Sequence, residues 1–159
     1  MQFNTQSGGV IQFSRNVVDV LQSFRQRDNE SKESGGILLG RILLNETDFV
    51  VDRVSTPTQA DKATRFSFFR PIKLAQQLVI KVWHKSAGTQ NYFGEWHTHP
   101  EDFPIPSSVD ITNWQSIWHR SKTDADEIFF VIVGRQTIKV WSLRNSNGVP
   151  VELKRIFSK

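Results

Sequence analysis

With 159 residues, 38% of them hydrophobic and 23% charged, the chain has the size and balance of one folded domain spanning residues 1–159, without fibrous or disordered bias. It contains no cysteine, which excludes disulfide staples, thiolate metal sites, a cysteine nucleophile and iron–sulfur clusters; any metal must be held by histidine and carboxylate. The formal charge of +4 is modest but uneven, because Lys62, Arg65, Arg70, Lys73, Lys81 and Lys85 fall in a stretch without an acid.

In chain order, a short strand at residues 10–13 is followed by a helix that Ser14 can cap, with Val17, Val18, Leu21 and Phe24 on its inward face. Polar residues 25–32 make a turn. The β-branched, apolar runs 36–44 and 49–55, joined by turn chemistry at residues 45–48, predict an antiparallel hairpin. A strand at 65–69 precedes a helix opened by Pro71, whose inward positions are Ala75, Leu78, Val79, Val82 and Trp83 and which Gly88 stops. Residues 91–97 read as a strand, 100–106 as a proline-rich loop, and 107–120 as a helix turning Ile111, Trp114 and Trp118 inward. Strands at 128–133, 137–143 and 149–156 complete an α/β (α+β) pattern: a mixed, mainly antiparallel sheet flanked by helices.

No basic, then apolar, leader and no run long enough to span a bilayer is present, so a cytoplasmic protein without a membrane partner is expected. The basic stretch reads as a solvated helix surface, and the tryptophans fall mostly at inward positions that suit core packing rather than base stacking. A nucleic-acid partner is therefore not expected.

The chemistry concentrates near residue 100. His97 and His99 are two apart at the end of a strand, so a period of two puts both imidazoles on one face, within reach of one ion. A third ligand from elsewhere would complete an open zinc site with room for water, and Asp110, at the start of the next helix, is well placed. Ser107 and Asp110 also form a capping-box-like pair, and a carboxylate committed to a metal is not expected to be free to cap. From the residues alone a general base is open between Glu33, in a polar stretch, and Glu95, which shares the strand face of His97.

His97-x-His99-Pro100, the ten-residue spacing to Asp110, Ser107-x-x-Asp110 and the upstream segment from Glu33 through Gly35-Gly36-Ile37-Leu38-Leu39-Gly40 together resemble the JAMM (MPN-plus, JAB-domain) zinc metallopeptidases. The resemblance implies an MPN/JAB fold of the cytidine-deaminase-like kind, one Zn2+ held by His97, His99 and Asp110, Glu33 as the base that deprotonates the attacking water, and Ser107 steadying the oxyanion. Overall length and the phrase from Gly94 to Ser108 are similar to the compact bacterial members encoded with CBASS antiphage systems, which reverse a ubiquitin-like conjugation. That implies a protein C-terminal tail as partner, the tail of a conjugated cGAS-like nucleotidyltransferase, lying extended between residues 64–69 and 101–105. The competing readings are a non-catalytic MPN scaffold, or a peptidase for another ubiquitin-like or sulfur-carrier protein. An amidohydrolase barrel needs about 250 residues, and a zinc nucleobase deaminase needs cysteines that the chain lacks.

Overall fold

The computed structural model describes residues 1–44, 47–121, 123, 125–144 and 148–157. The strands are β1 (Gln2–Asn4), β2 (Val10–Phe13), β3 (Gly35–Ile42), β4 (Phe49–Val54), β5 (Lys62–Thr64), β6 (Ser67–Phe69), β7 (Asn91–Thr98), β8 (Ile128–Val133), β9 (Ile138–Leu143), β10 (Val151–Glu152) and β11 (Arg155–Ile156). The helices are α1 (Arg15–Ser23), α2 (Ile72–Lys85) and α3 (Ser108–Arg120). Among the described residues, nine strands form one sheet in the order β10-β9-β8-β7-β3-β4-β2-β1-β11, while β5 and β6 make a separate hairpin. The pairs β7–β8 and β2–β4 are parallel and the others antiparallel, the mixed, mainly antiparallel arrangement expected.

The C-terminal segment curls this sheet on itself. A single strand over 149–156 was expected, but the segment forms two short strands, one at each end of the sheet. The chain bends at Leu153 and Lys154, so that β10 pairs with β9 and β11 with β1. The bend is bonded on both sides: Leu153 N donates to Val140 O at 2.8 Å, and Asn4 N donates to Lys154 O at 3.0 Å. β1 itself carries one buried apolar residue, Phe3, too little for a periodic signal. The strand expected at 65–69 is a hairpin with its turn at Arg65 and Phe66, and β3 ends at Ile42, leaving Leu43 and Leu44 exposed. Asn45 and Glu46 of the expected turn lie outside the described residues.

Phe3, Phe13, Phe49, Phe93, Phe129, Val51 and Val131 fill the inside of the curl, with Val17 and Leu21 of α1 packed against them. Ser14 caps α1 by accepting from Val17 N. On the outer face α3 covers β8 and β9, Trp114 stacking on Phe130 at 4.7 Å between centroids. α2 lies over Ile37 and Leu39 through Val82. β8 is buried on both faces, which explains its unbroken apolar run. Trp83, expected inward, is 44% exposed, because the inward stripe of α2 is met by Ala75, Leu78, Val79 and Val82 alone. No helix among the described residues is long and apolar enough to cross a membrane.

Candidate metal centre and general base

β7 delivers the histidines. It runs antiparallel to β3, with Gly35 opposite His97, and parallel to β8, with Ile132 opposite His97, so its end is held from both sides. Alternation turns Trp96 into the core and His97 outward, toward Trp114 of α3, while a register shift at residues 92–94 lets Phe93 face the core as well. Gly94, at φ 135°, carries the irregularity that sets this phase. A Cβ there would stand 1.8 Å from Phe129 O. His99 lies one residue past the strand but keeps its pairing, its N–H donating to Val133 O at 3.0 Å. The two Nε2 atoms meet at 3.0 Å.

Asp110 comes from the first turn of α3. Its Oδ1 is 3.2 Å from His97 Nε2, and its Oδ2 is 3.4 Å from His99 Nε2. It also caps the helix: Oδ2 accepts from Ser107 N at 2.7 Å and from Ser107 Oγ at 2.6 Å, while Ser107 Oγ accepts from Asp110 N. Asp110 thus caps the helix while it faces both histidines. A carboxylate has two oxygens and about four lone-pair sites, and Asp110 gives Oδ2 to the cap while Oδ1 stays toward His97. Burial pushes the Asp110 carboxyl upward, but the hydrogen bonds from His97 and His99 outweigh it and hold the group well below the ordinary carboxylate range. For His99 burial favours the neutral ring, yet Asp110, Glu33 and Glu101 together raise its pKa.

His97, His99 and Asp110 are the set of donors among the described residues that converge in this way, their ligand atoms all within 4.8 Å of one another. The closest donor separations, 3.0 to 3.4 Å, approach the edge of a tetrahedron whose centre lies ~2.0–2.1 Å from each corner, about 3.3–3.4 Å. Two imidazoles and one carboxylate at these distances can hold a divalent ion and leave a fourth position for solvent or substrate.

Glu33 sits beside this set, only 7% exposed, in the segment that leads into β3. Burial is the main cause raising its pKa from 4.5 to about 7; the charge of His99 opposes the shift and that of Asp110 adds to it. The segment is pinned from two directions. Glu33 N donates to Thr64 O of β5 at 2.8 Å, and Ser34 exchanges bonds with Thr98, whose N donates to Ser34 O and whose Oγ1 accepts from Ser34 N, each at 2.9 Å. Glu95, the rival base, is bonded to Arg70 at 2.8 Å and stands outside the convergence. Its charge, after burial, raises the pKa of Tyr92 well above the usual phenol value.

Three nearby residues were given no individual role by the sequence. Glu101 stands 3.8 Å from His99 Nδ1 and accepts from Ile105 N, an outer partner able to orient that ring. Gln26 and Thr98 are buried polar residues bonded to each other behind the histidines. A threonine on the inward face of a core strand was the one clue, and it needed a partner to mean anything. Both segments expected to line a groove adjoin the site: β5 is bonded to Glu33, and the loop from Glu101 runs beside His99. Each presents exposed apolar side chains, Phe66 and Phe69 on the hairpin, and Phe103 and Ile105 on the loop.

The sequence profile described as "Prokaryotic homologs of the JAB domain" matches residues 16–144, a span that contains every element of the site. The chain belongs to the prokaryotic JAB-domain family. Among curated relatives of this JAB protein, one from Escherichia coli is 38% identical, over 77% of this chain and 74% of the relative. Another from Vibrio cholerae is 34% identical, over 84% and 82%, and one from Pseudomonas aeruginosa is 31% identical, over 82% and 81%. Each of the three is named "CD-NTase/cGAS isopeptidase". A protein from Desulfitobacterium hafniense solved in solution superposes with a TM-score of 0.62 over 89% of this chain and 88% of that one; at 17% identity the likeness speaks for a shared fold alone.

Proposed function

We propose that this JAB protein, acting as one peptidase domain over residues 1–159, is a zinc-dependent isopeptidase. It hydrolyses the bond between the C-terminus of a conjugated cGAS-like nucleotidyltransferase and a target amine, reversing conjugation in bacterial antiphage signalling in the cytoplasm. The observation that carries the reading is the buried Glu33 set beside the convergent His97, His99 and Asp110. The names of relatives aligned over about four-fifths of the chain supply the substrate class.

His97, His99 and Asp110 would hold the zinc ion. The chemistry such an ion supplies is Lewis acidity, toward the attacking water and toward the scissile carbonyl. Glu33 takes one proton from the water, whose oxygen forms a bond to the carbonyl carbon. It returns that proton to the departing nitrogen as the C–N bond breaks, leaving a C-terminal carboxylate and a free amine. A buried carboxylate held beside the ligand set serves both halves, accepting the proton from water and returning it to the leaving nitrogen. Ser107, after turning its hydroxyl away from Asp110, donates where negative charge develops. The substrate tail lies extended between β6 and the loop after His99, where main-chain hydrogen bonds can supply affinity without demanding sequence.

The test is incubation of the zinc-loaded protein with a nucleotidyltransferase joined through its C-terminus to a lysine amine, followed by intact mass measurement. The expected products are the nucleotidyltransferase ending in its native carboxylate and the unmodified amine. An intact conjugate beside a cleaved ubiquitin-like or sulfur-carrier conjugate would move the substrate class. No cleavage of any of them would leave a binding module.

A further inference from the structure

The polar cluster behind the histidines has no part in the chemistry just described, yet it is buried and fully bonded. The Gln26 side chain is 1% exposed and Thr98 is fully buried. Gln26 Nε2 donates to Ser31 O at 3.1 Å and to Arg65 O at 2.9 Å, and its Oε1 accepts from Thr98 Oγ1 at 2.9 Å. Thr98 Oγ1 in turn accepts from Ser34 N at 2.9 Å. One amide therefore ties together three separate pieces of chain: the segment carrying Glu33, the turn of the β5–β6 hairpin, and the end of β7 between the two histidines. Arg65 reinforces the link by donating to Asp28 O at 2.8 Å and to Asn29 Oδ1 at 3.2 Å.

Geometry gives this knot a purpose. Strand alternation places Thr98 on the face of β7 opposite His97, so the residue that separates the ligand histidines points away from them and toward Gln26. Residues 26–34 form no helix or strand, so their backbone needs external partners to hold one conformation. An apolar side chain at position 26 would fill the space but deprive two carbonyl oxygens of their donor and the Thr98 hydroxyl of its acceptor.

We propose that Gln26, acting through Thr98, is the positioning residue for the general base, holding Glu33 in register with the histidines and with the hairpin that flanks the substrate. The proposal rests on the peptidase reading above. A base displaced by about an ångström loses much of its advantage, because proton transfer demands hydrogen-bond contact in the transition state. A misplacement of about an ångström in a reacting group can cost about 100-fold in rate.

The experiment compares zinc-loaded wild type with Thr98→Val, Thr98→Ser, Gln26→Leu and the Gln26→Leu/Thr98→Val double variant on one conjugate. It records kcat, KM, bound zinc, and backbone amide exchange in the metal-free and zinc-loaded protein. Thr98→Val and Gln26→Leu are expected to lower kcat by about 10- to 100-fold with KM within about twofold, and to retain zinc. Thr98→Ser restores kcat, and the double variant is no worse than the poorer single one. In both single variants exchange quickens at the amides of residues 31–34 while β8 stays protected, a change that a general loss of stability would not confine there. If Gln26→Leu does not fold, Thr98→Val decides alone. Wild-type kcat in Thr98→Val, or quickened exchange spread over β8, overturns the positioning role. A wild-type protein that binds zinc and cuts no conjugate defeats the underlying peptidase reading instead, and the exchange pattern then still reports whether the knot holds the segment.

Discussion

Glu33 is a costly residue for the fold. Its pKa is raised from the ordinary 4.5 to about 7, so the folded chain binds a proton that the unfolded chain has released. Stability owed to the protonated form is fully present below pH 4.5 and lost as pH rises toward 7, at about 1.4 kcal/mol per unit. Metal-free Glu33→Gln, neutral at every pH, should therefore exceed metal-free wild type in stability at pH 8 by roughly 3 kcal/mol, the gap closing on acidification; denaturant melts at pH 8 and pH 4.5 check this. The same variant, zinc-loaded, should keep its metal and lose about 100- to 10,000-fold in hydrolysis. Stability given up at a buried carboxylate and recovered as catalysis is the usual sign of a functional position. Ser107 carries two roles that separate by measurement. Ser107→Ala should cost about 1 kcal/mol through the lost cap, and about 100- to 1,000-fold in kcat if it also serves the oxyanion. A stability loss with unchanged kcat would leave it a cap alone.

Among the elements, β7 matters most, since it must bring both histidines to one face at its last residues. Its phase depends on Gly94, where φ is 135° and any side chain would strike Phe129 O. Gly94→Ala should cost about 1–3 kcal/mol by overpacking, more with the strained φ, and should lower zinc affinity because the histidines lose their common face; melting and metal titration of one sample test both. The pair His97 and His99, the helix start at Asp110 and the paired runs that became β3 and β4 were legible because each follows a fixed period or a capping rule. Glu33, the proposed base, was legible only through the motif that follows it: it stands in an irregular segment bonded to Gln26, Thr64 and Thr98. Glu95 looked equivalent by strand period, and nothing local showed that Arg70, 25 residues earlier, would occupy it. The split of the last strand was hidden for the same reason, since which edge each half pairs with is a property of the whole curled sheet.

On the scale of the whole molecule, the curled sheet joins the first and last described residues into the same structure that holds His97, His99 and Asp110. The site is assembled from β3's approach, the end of β7 and the start of α3, so a metal that clamps β7 to α3 should stabilise the folded state as a whole. Zinc at about 100 times its dissociation constant should add roughly 2.7 kcal/mol, visible as a concentration-dependent rise in melting temperature that His97→Ala abolishes. The most direct measurement for the account is a zinc titration of chelator-stripped protein, following bound metal and cleavage of a nucleotidyltransferase conjugate in the same sample. The account predicts that activity is absent at the start and rises in step with occupancy, reaching its plateau at one zinc per chain. Full cleavage by the stripped protein, or zinc bound to His97→Ala with activity intact, would contradict it.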